Sequence, residues 1–265
     1  MPWFPDFVGA VELARRQTRD VDPVGVYLDA LSSGDDRALR GSWPGEVVVF
    51  DPRAGEVRGH HALRRFVRRN QEWLAQRRAR VERVAATRVD GRAVVELLAH
   101  LTEAGRETAW PVAVVAQSPD DRSVVFRTYC SQLPVDRRRH VRPPILPPAD
   151  AQPGDVVGRH LAALHDGDTE AVVGTFAPAG YVREPVEARE HRGDAELRAY
   201  YGRTSGGVGL RHCAVTDDRT RCALECTCVS WGGRPVPPQA GLGVFERGPD
   251  GLLAAVRLYD DIEPH

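Results

Sequence analysis

One unit of about a hundred residues is written twice in this chain. Val24-Gly-Val-Tyr-Leu-Asp-Ala-Leu-Ser-Ser-Gly-Asp35 is echoed by Val157-Gly-Arg-His-Leu-Ala-Ala-Leu-His-Asp-Gly-Asp168 at an offset of 133. Phe50-Asp51-Pro52 meets Arg183-Glu184-Pro185 at the same offset, and Gly59 to Leu63 meets Gly193 to Leu197 one residue later. Further on, Arg92-Ala-Val-Val-Glu96 pairs with Arg221-Cys-Ala-Leu-Glu225, and Val124 to Tyr129 with Ala254 to Tyr259. The order never changes, so every motif has to be read as a position in a repeated unit.

Between the copies, Pro134 to Asp155 carries six prolines and the run Arg137-Arg138-Arg139-His140. Proline at that density ends helices and central strands and favours extended chain. The reading is an N-terminal extension over 1–22, repeat one over 23–133, a linker over 134–153 and repeat two over 154–265. Phe7 to Arg19 has no counterpart in the second copy and patterns as a short amphipathic helix, a lid on repeat one.

Within each copy the period changes from helical to strand. Val24, Tyr27, Leu28 and Leu31 share one helical stripe, as do Val157, His160, Leu161 and Leu164, and each helix runs into a Gly suited to a left-handed cap. A second short helix starts at Asp35 or Asp168, whose side chain can cap it. A short strand, a turn at Pro and a third helix follow. From Val81 and from Leu210 onward, β-rich stretches are punctuated by Asp-Gly, Gly-Gly and Pro-Asp. Each copy is expected to be ααβα followed by a three- or four-strand meander. The fold class is therefore α+β: two cone-shaped α+β barrel domains, helices held in a curved antiparallel sheet, packed as an intrachain pseudo-dimer. A further homodimer stays open.

Charge excludes several functions. The chain has 36 basic and 37 acidic residues, every basic one Arg, and a net charge of -1, which argues against nucleic acid as a general partner. No apolar run approaches the length of a membrane span, and the N-terminus lacks the pattern of a signal peptide, so a cytoplasmic protein is expected. Five Cys, four of them between Cys213 and Cys228, read as free thiols. Cys222, Cys226 and Cys228 share a strand face with Leu224 and lack the paired spacing of a zinc site, so no metal is expected.

The string from Arg159 to Phe176, then Val182-Arg-Glu-Pro185 and His191-Arg-Gly193, resembles the nuclear transport factor 2-like superfamily, which includes the SnoaL-like, polyketide-cyclase-like domains. The likeness spans Pro23 to Leu133 and Gly154 to Ile262 and is closest in pattern to bacterial ketosteroid isomerase. That resemblance implies an oxyanion-stabilising Tyr on helix one and a general-base Asp before a Pro; Tyr27 and Asp51 match them in repeat one, His160 and Glu184 stand there in repeat two. A second Tyr of the pattern finds Tyr201 in repeat two and Val67 in repeat one, while the second oxyanion donor falls on Pro111 and Gly241, which cannot donate. Steroid isomerisation is therefore not expected.

Matching the late strands predicts that Glu96 and Glu225 face inward, with Cys130 and Asp260 at the end of the last strand. Pocket two would gather His160, Glu184, Glu225, Asp260 and Tyr201, and carboxyls crowded in one apolar cavity would share protons, one donating while another accepts. Each residue also has a purely structural reading. Asp51 or Glu184 can cap a turn, His160 and Tyr27 can be hydrogen-bonded core, and Glu96 and Glu225 can pair with Arg92 or Arg221 at the sheet rim. The stretch Arg64 to Arg83 is either a solvated face or a ridge for an anionic partner. Gly202 to Gly209 reads as a flexible loop at the pocket rim. The resulting expectation is an acid-base enzyme of isomerase, cyclase or epoxide hydrolase type, needing no cofactor and acting on a small apolar or polyketide-like substrate, with repeat two the favoured site; the alternative is a non-catalytic binding or interaction module.

Overall fold

A computed structural model describes residues 22–103 and 105–260; the expected helix over 7–19 and the end of the likeness at Ile262 lie outside them. In the first half, α1 (Pro23–Ser33) and α2 (Arg37–Ser42) precede the hairpin β1 (Val47–Asp51) and β2 (Gly55–Arg58). Then come α3 (His60–Gln76) and the strands β3 (Arg80–Val89), β4 (Arg92–Glu103), β5 (Arg106–Asp120) and β6 (Ser123–Tyr129). A single turn, α4 (Leu133–Asp136), opens the connection. The second half repeats the order with α5 (Asp155–Asp166), α6 (Thr169–Val173), β7 (Phe176–Arg183), β8 (Glu190–Arg192), α7 (Gly193–Tyr201), β9 (Val208–Asp217), β10 (Arg221–Trp231), β11 (Arg234–Arg247) and β12 (Leu253–Leu258). The sequence reading had one strand where each half has a two-strand hairpin, because β2 and β8 are too short to show a period.

Helix ends follow the sequence. Gly34 and Gly167 close α1 and α5 at φ of 77° and 73°. At Gly167 a Cβ would also sit 2.5 Å from the Ser205 carbonyl oxygen, so two constraints fix glycine there. The Asp168 carboxylate caps α6, accepting from the Ala171 N–H at 2.9 Å, whereas at α2 the cap position is Asp36, not the expected Asp35, whose carboxylate only accepts from the Arg37 N–H at 3.0 Å.

Both sheets have the same order, β2-β1-β6-β5-β4-β3 and β8-β7-β12-β11-β10-β9. The first strand pairs parallel to the last, β1 with β6 and β7 with β12, and the remaining neighbours are antiparallel. Neither sheet closes: β2 and β3, β8 and β9 remain edges, so the expected barrels are open, curved sheets around their helices.

Strand parity divides the buried residues into three cores. On β4, Val95, Leu97, Ala99 and Leu101 face α1 and α3 within the first half, while Val94 points the other way. Cys222, Leu224 and Cys226 do the same on β10 in the second half. The third core, including Val94, Val115, Tyr129, Leu242, Val244 and Tyr259, draws on both sheets and packs the halves together. The connection lies along that seam: Ala240 N–H donates to the Arg142 carbonyl at 2.8 Å, Ala149 N–H to the His212 carbonyl at 2.9 Å, and Ile145 packs against the third core. None of the helices among the described residues is long and apolar enough to cross a membrane.

Candidate functional site

Each half encloses a cavity between its helices and the concave face of its sheet. The first measures about 320 Å³ and is walled by Leu97, Val112, Val114, Trp73 and Trp110; Tyr27, Asp51 and Thr128, on α1, β1 and the end of β6, are among its polar groups, and Asp29, Ser32, Arg53, Asn70, Arg83 and Gln132 also line it. Tyr27 is fixed by stacking on Phe126, ring centroids 4.4 Å apart. Its hydroxyl is buried beside the Thr128 hydroxyl, the one side-chain donor or acceptor close enough to act on it, and the pair falls short of ordinary hydrogen-bonding geometry. Burial, reinforced by the negative charge of Asp51, pushes the phenol pKa well up, so Tyr27 stays a proton donor at every ordinary pH. The Asp51 Oδ1 accepts from the N–H groups of Arg53 at 2.9 Å and Ala54 at 2.8 Å, which orients the carboxylate; Oδ2 makes no hydrogen bond to a described residue.

The second cavity, about 230 Å³, has His160, Glu184, Tyr201 and Asp260 on its walls, four of the five residues the sequence placed together. Their polar atoms are already engaged. The Thr175 hydroxyl donates to the Val172 carbonyl at 2.6 Å, so it must accept from His160 Nδ1–H at 2.9 Å. His160 Nε2 therefore carries the lone pair, and Tyr201 Oη lies 3.5 Å from it. Burial pulls the His160 pKa down to about 3, leaving a neutral imidazole, and pushes the Tyr201 phenol up. Glu184 Oε1 accepts from Arg203 Nη2 at 2.8 Å and pairs with His191 Nε2 at 3.0 Å. The Asp260 Oδ2 accepts from Leu242 N–H at 2.6 Å. With separate donors for each carboxylate, the proton sharing expected of this pocket has no basis. The stretch 202–209 begins with a turn of 3-10 helix, Gly202–Thr204, that puts Arg203 and Thr204 on the cavity wall.

Glu96 and Glu225 require correction: neither lines either of these two cavities. Both alternate with core residues of their own strands and so point through the sheet into the seam between the halves. Glu225 is 2 % exposed and takes four hydrogen bonds from the first half: Arg127 Nε at 2.5 Å and Tyr129 Oη at 2.8 Å on Oε1, Arg127 Nη2 at 2.9 Å and Arg92 Nη2 at 2.6 Å on Oε2. Glu96 reciprocates, receiving Arg257 Nε at 2.6 Å, Arg257 Nη2 at 2.9 Å and Tyr259 Oη at 2.6 Å from the second half. Burial alone would raise the Glu225 pKa, but the grip of Arg127, with Arg92 and Tyr129, outweighs it and holds the carboxylate below its usual range.

The sequence reading missed Thr128, Trp73 and Trp110. Thr128 was legible, because it continues the inward parity of Val124 and Phe126 toward Cys130, and Trp110 likewise continues that of Val112, Val114 and Ala116; Trp73 depends on how far α3 runs.

Several solved structures each match about two fifths of the chain. An NTF2-like protein of unknown function from Cytophaga hutchinsonii matches with 13% identity, 43% of this chain, 95% of its own and a TM-score of 0.34. An LEH-like epoxide hydrolase from M. tuberculosis gives 24% identity, 40% of this chain, 80% of its own and a TM-score of 0.35. The epoxide hydrolase/cyclase-like enzyme SalBIII, of pyran ring formation in salinomycin, gives 19%, 39%, 86% and 0.35. Each is a likeness of fold over about two fifths of this chain. No family model and no curated protein matches the chain.

Proposed function

We propose that the first half is a cofactor-independent acid-base site for a small, largely apolar molecule bearing a carbonyl or comparable acceptor oxygen, and that the second half is chiefly a structural partner. One observation carries this reading: the Tyr27 hydroxyl is buried on the wall of an apolar cavity it shares with Asp51, with only the Thr128 hydroxyl beside it and no hydrogen bond of ordinary geometry to the protein. An unpaired buried hydroxyl costs about 1–3 kcal/mol, a cost that a ligand oxygen accepting its hydrogen bond removes. The second cavity offers no such vacancy, since His160, Tyr201, Glu184 and Asp260 are bonded within the protein. This moves the favoured site from repeat two to repeat one.

In this reading Asp51 removes a proton from the carbon next to the carbonyl. The C–H electron pair moves into the new C=C bond and negative charge collects on the oxygen, where Tyr27 donates its hydrogen bond. Asp51 then returns the proton to another carbon, so an isomerisation is balanced with no other reagent. Thr128 supplies a second hydroxyl on the same wall, in place of the donor that Pro111 lacks. Five buried cysteines with no disulfide among them support a reducing, cytoplasmic location.

The test is exchange of α-protons of a series of small cyclic enones in D2O, followed by NMR. Wild type is expected to accelerate exchange, and Asp51→Asn and Tyr27→Phe to lose about a hundredfold or more. No acceleration over buffer, or full activity in Asp51→Asn, overturns the proposal.

A further inference from the structure

At the mouth of the first cavity, Arg53 is held in an unusual way. It follows Asp51 by two residues, yet it forms no ion pair with that carboxylate or with any other carboxylate among the described residues. Its guanidinium carbon instead lies 3.9 Å from the centroid of the Trp73 ring, and Nη2 donates to Asn70 Oδ1 at 3.0 Å. Asn70 cannot swing away, because its Nδ2 donates to the Phe66 carbonyl at 3.1 Å, and this also fixes which amide atom faces Arg53. Arg77 stacks on the same indole at 4.2 Å, and the carboxylates on the cavity lining, Asp29 and Asp51, form no ion pair with Arg53. In the second half Val186 occupies the position of Arg53; of the two arginines lining that cavity, Arg139 and Arg203, the latter stacks on Tyr200 at 4.5 Å but, unlike Arg53, is paired with a carboxylate, Glu184.

A guanidinium with its plane set by an indole and an amide, and with donors left over, is organised to receive a planar or tetrahedral anion. We propose that Arg53 docks an anionic group, carboxylate or phosphate, of the molecule whose apolar body fills the first cavity. The substrate class narrows accordingly to amphipathic organic acids or phosphate esters with the reactive oxygen several bonds from the anion. This inference builds on the functional reading of the same cavity, but anion docking is measurable without any turnover.

Isothermal titration with 4-phenylbutyrate, 4-phenylbutyl phosphate and methyl 4-phenylbutyrate tests it. Wild type is expected to bind at least one anion about tenfold or more tightly than the ester, the size of a charge-assisted hydrogen bond. The preferred anion identifies carboxylate or phosphate as the natural group. In Arg53→Gln the anion and ester affinities should converge while ester binding holds, and Trp73→Leu should reduce the preference in part. Tyr27→Phe should leave the preference intact. Equal affinities for anions and ester in wild type, or a preference that survives Arg53→Gln in a protein with wild-type melting behaviour, overturn the proposal. An anion preference without enone exchange would sink the catalytic reading alone; exchange without anion preference would sink this one alone.

Discussion

Replacing Glu225 with Gln should uncouple the two halves. The carboxylate lies on β10 of the second half, and all four lone-pair directions of its oxygens are filled by donors from the first half: two from Arg127 and one each from Tyr129 and Arg92. Glu225→Gln keeps the shape but turns one acceptor atom into a donor facing guanidinium N–H groups, and leaves Arg127, 2 % exposed at its side chain, without a counter-charge. Breaking one partner of such a buried pair costs about 3–5 kcal/mol. The loss falls on the seam. Unfolding in urea, which unlike guanidinium salts does not screen charge, would be followed by tryptophan fluorescence, dominated by Trp43, Trp73 and Trp110 of the first half, and by far-ultraviolet dichroism of both halves. Wild type should give coincident curves. Glu225→Gln should lose stability by that amount and separate the two curves, as the halves begin to unfold independently. Glu225→Leu combined with Arg127→Met removes both charges, and should recover much of the loss, since Arg92, 16% exposed at its side chain, can reach water. A cost below about 1 kcal/mol for Glu225→Gln, or a double variant no better than the single, would refute the view that this cluster locks the halves.

Three further outcomes follow from the same structure. His160 titrates near 3 in the folded protein and near 6.5 when unfolded, so its neutral form adds stability that is complete above pH 6.5 and drains away on acidification. Between pH 6.5 and 4.5, wild type should lose about 2–3 kcal/mol that His160→Asn does not lose, read from urea midpoints across that window. Burial pushes the Cys222 and Cys228 thiols up to about 12, so at pH 8 a disulfide reagent should label them only after denaturant is added. Asp168→Ala removes the cap of α6 and should lower stability by about 1 kcal/mol, with the cavity of the first half unaffected in ligand titrations.

Much of this architecture was legible in the chain. The echo of Val24 to Asp35 in Val157 to Asp168 announced two copies; the glycine ends helix one in both, while the aspartate caps helix two only in the second, the cap position of the first being Asp36. The carboxylates on the late strands were the failure, and the reason is instructive. Once Cys222, Leu224 and Cys226 are assigned to one face of β10, the period of two sends Glu225 to the other face, and Arg92, Val94 and Glu96 follow the same rule on β4. Position matching to an enzyme pattern overrode that simpler argument. A polar face opposite an apolar one usually means solvent; here Arg127, Tyr129, Arg257 and Tyr259 waited on the facing sheet, and partners more than ninety residues away leave no local signal. For the cavity residues, Tyr27 and Asp51 could be read from spacing, whereas the stacking of Arg53 on Trp73 depends on the hairpin turn meeting the far part of α3.

The carbonyl stretch of an isotopically labelled cyclic enone bound to the protein tests the role of Tyr27 most directly. Infrared difference spectra should show the band displaced to lower frequency in wild type, as a buried phenol polarises the C=O bond, with the displacement lost in Tyr27→Phe and kept in Tyr201→Phe. A displacement that persists without the Tyr27 hydroxyl, or disappears without that of Tyr201, would contradict the assignment of the site to the first half.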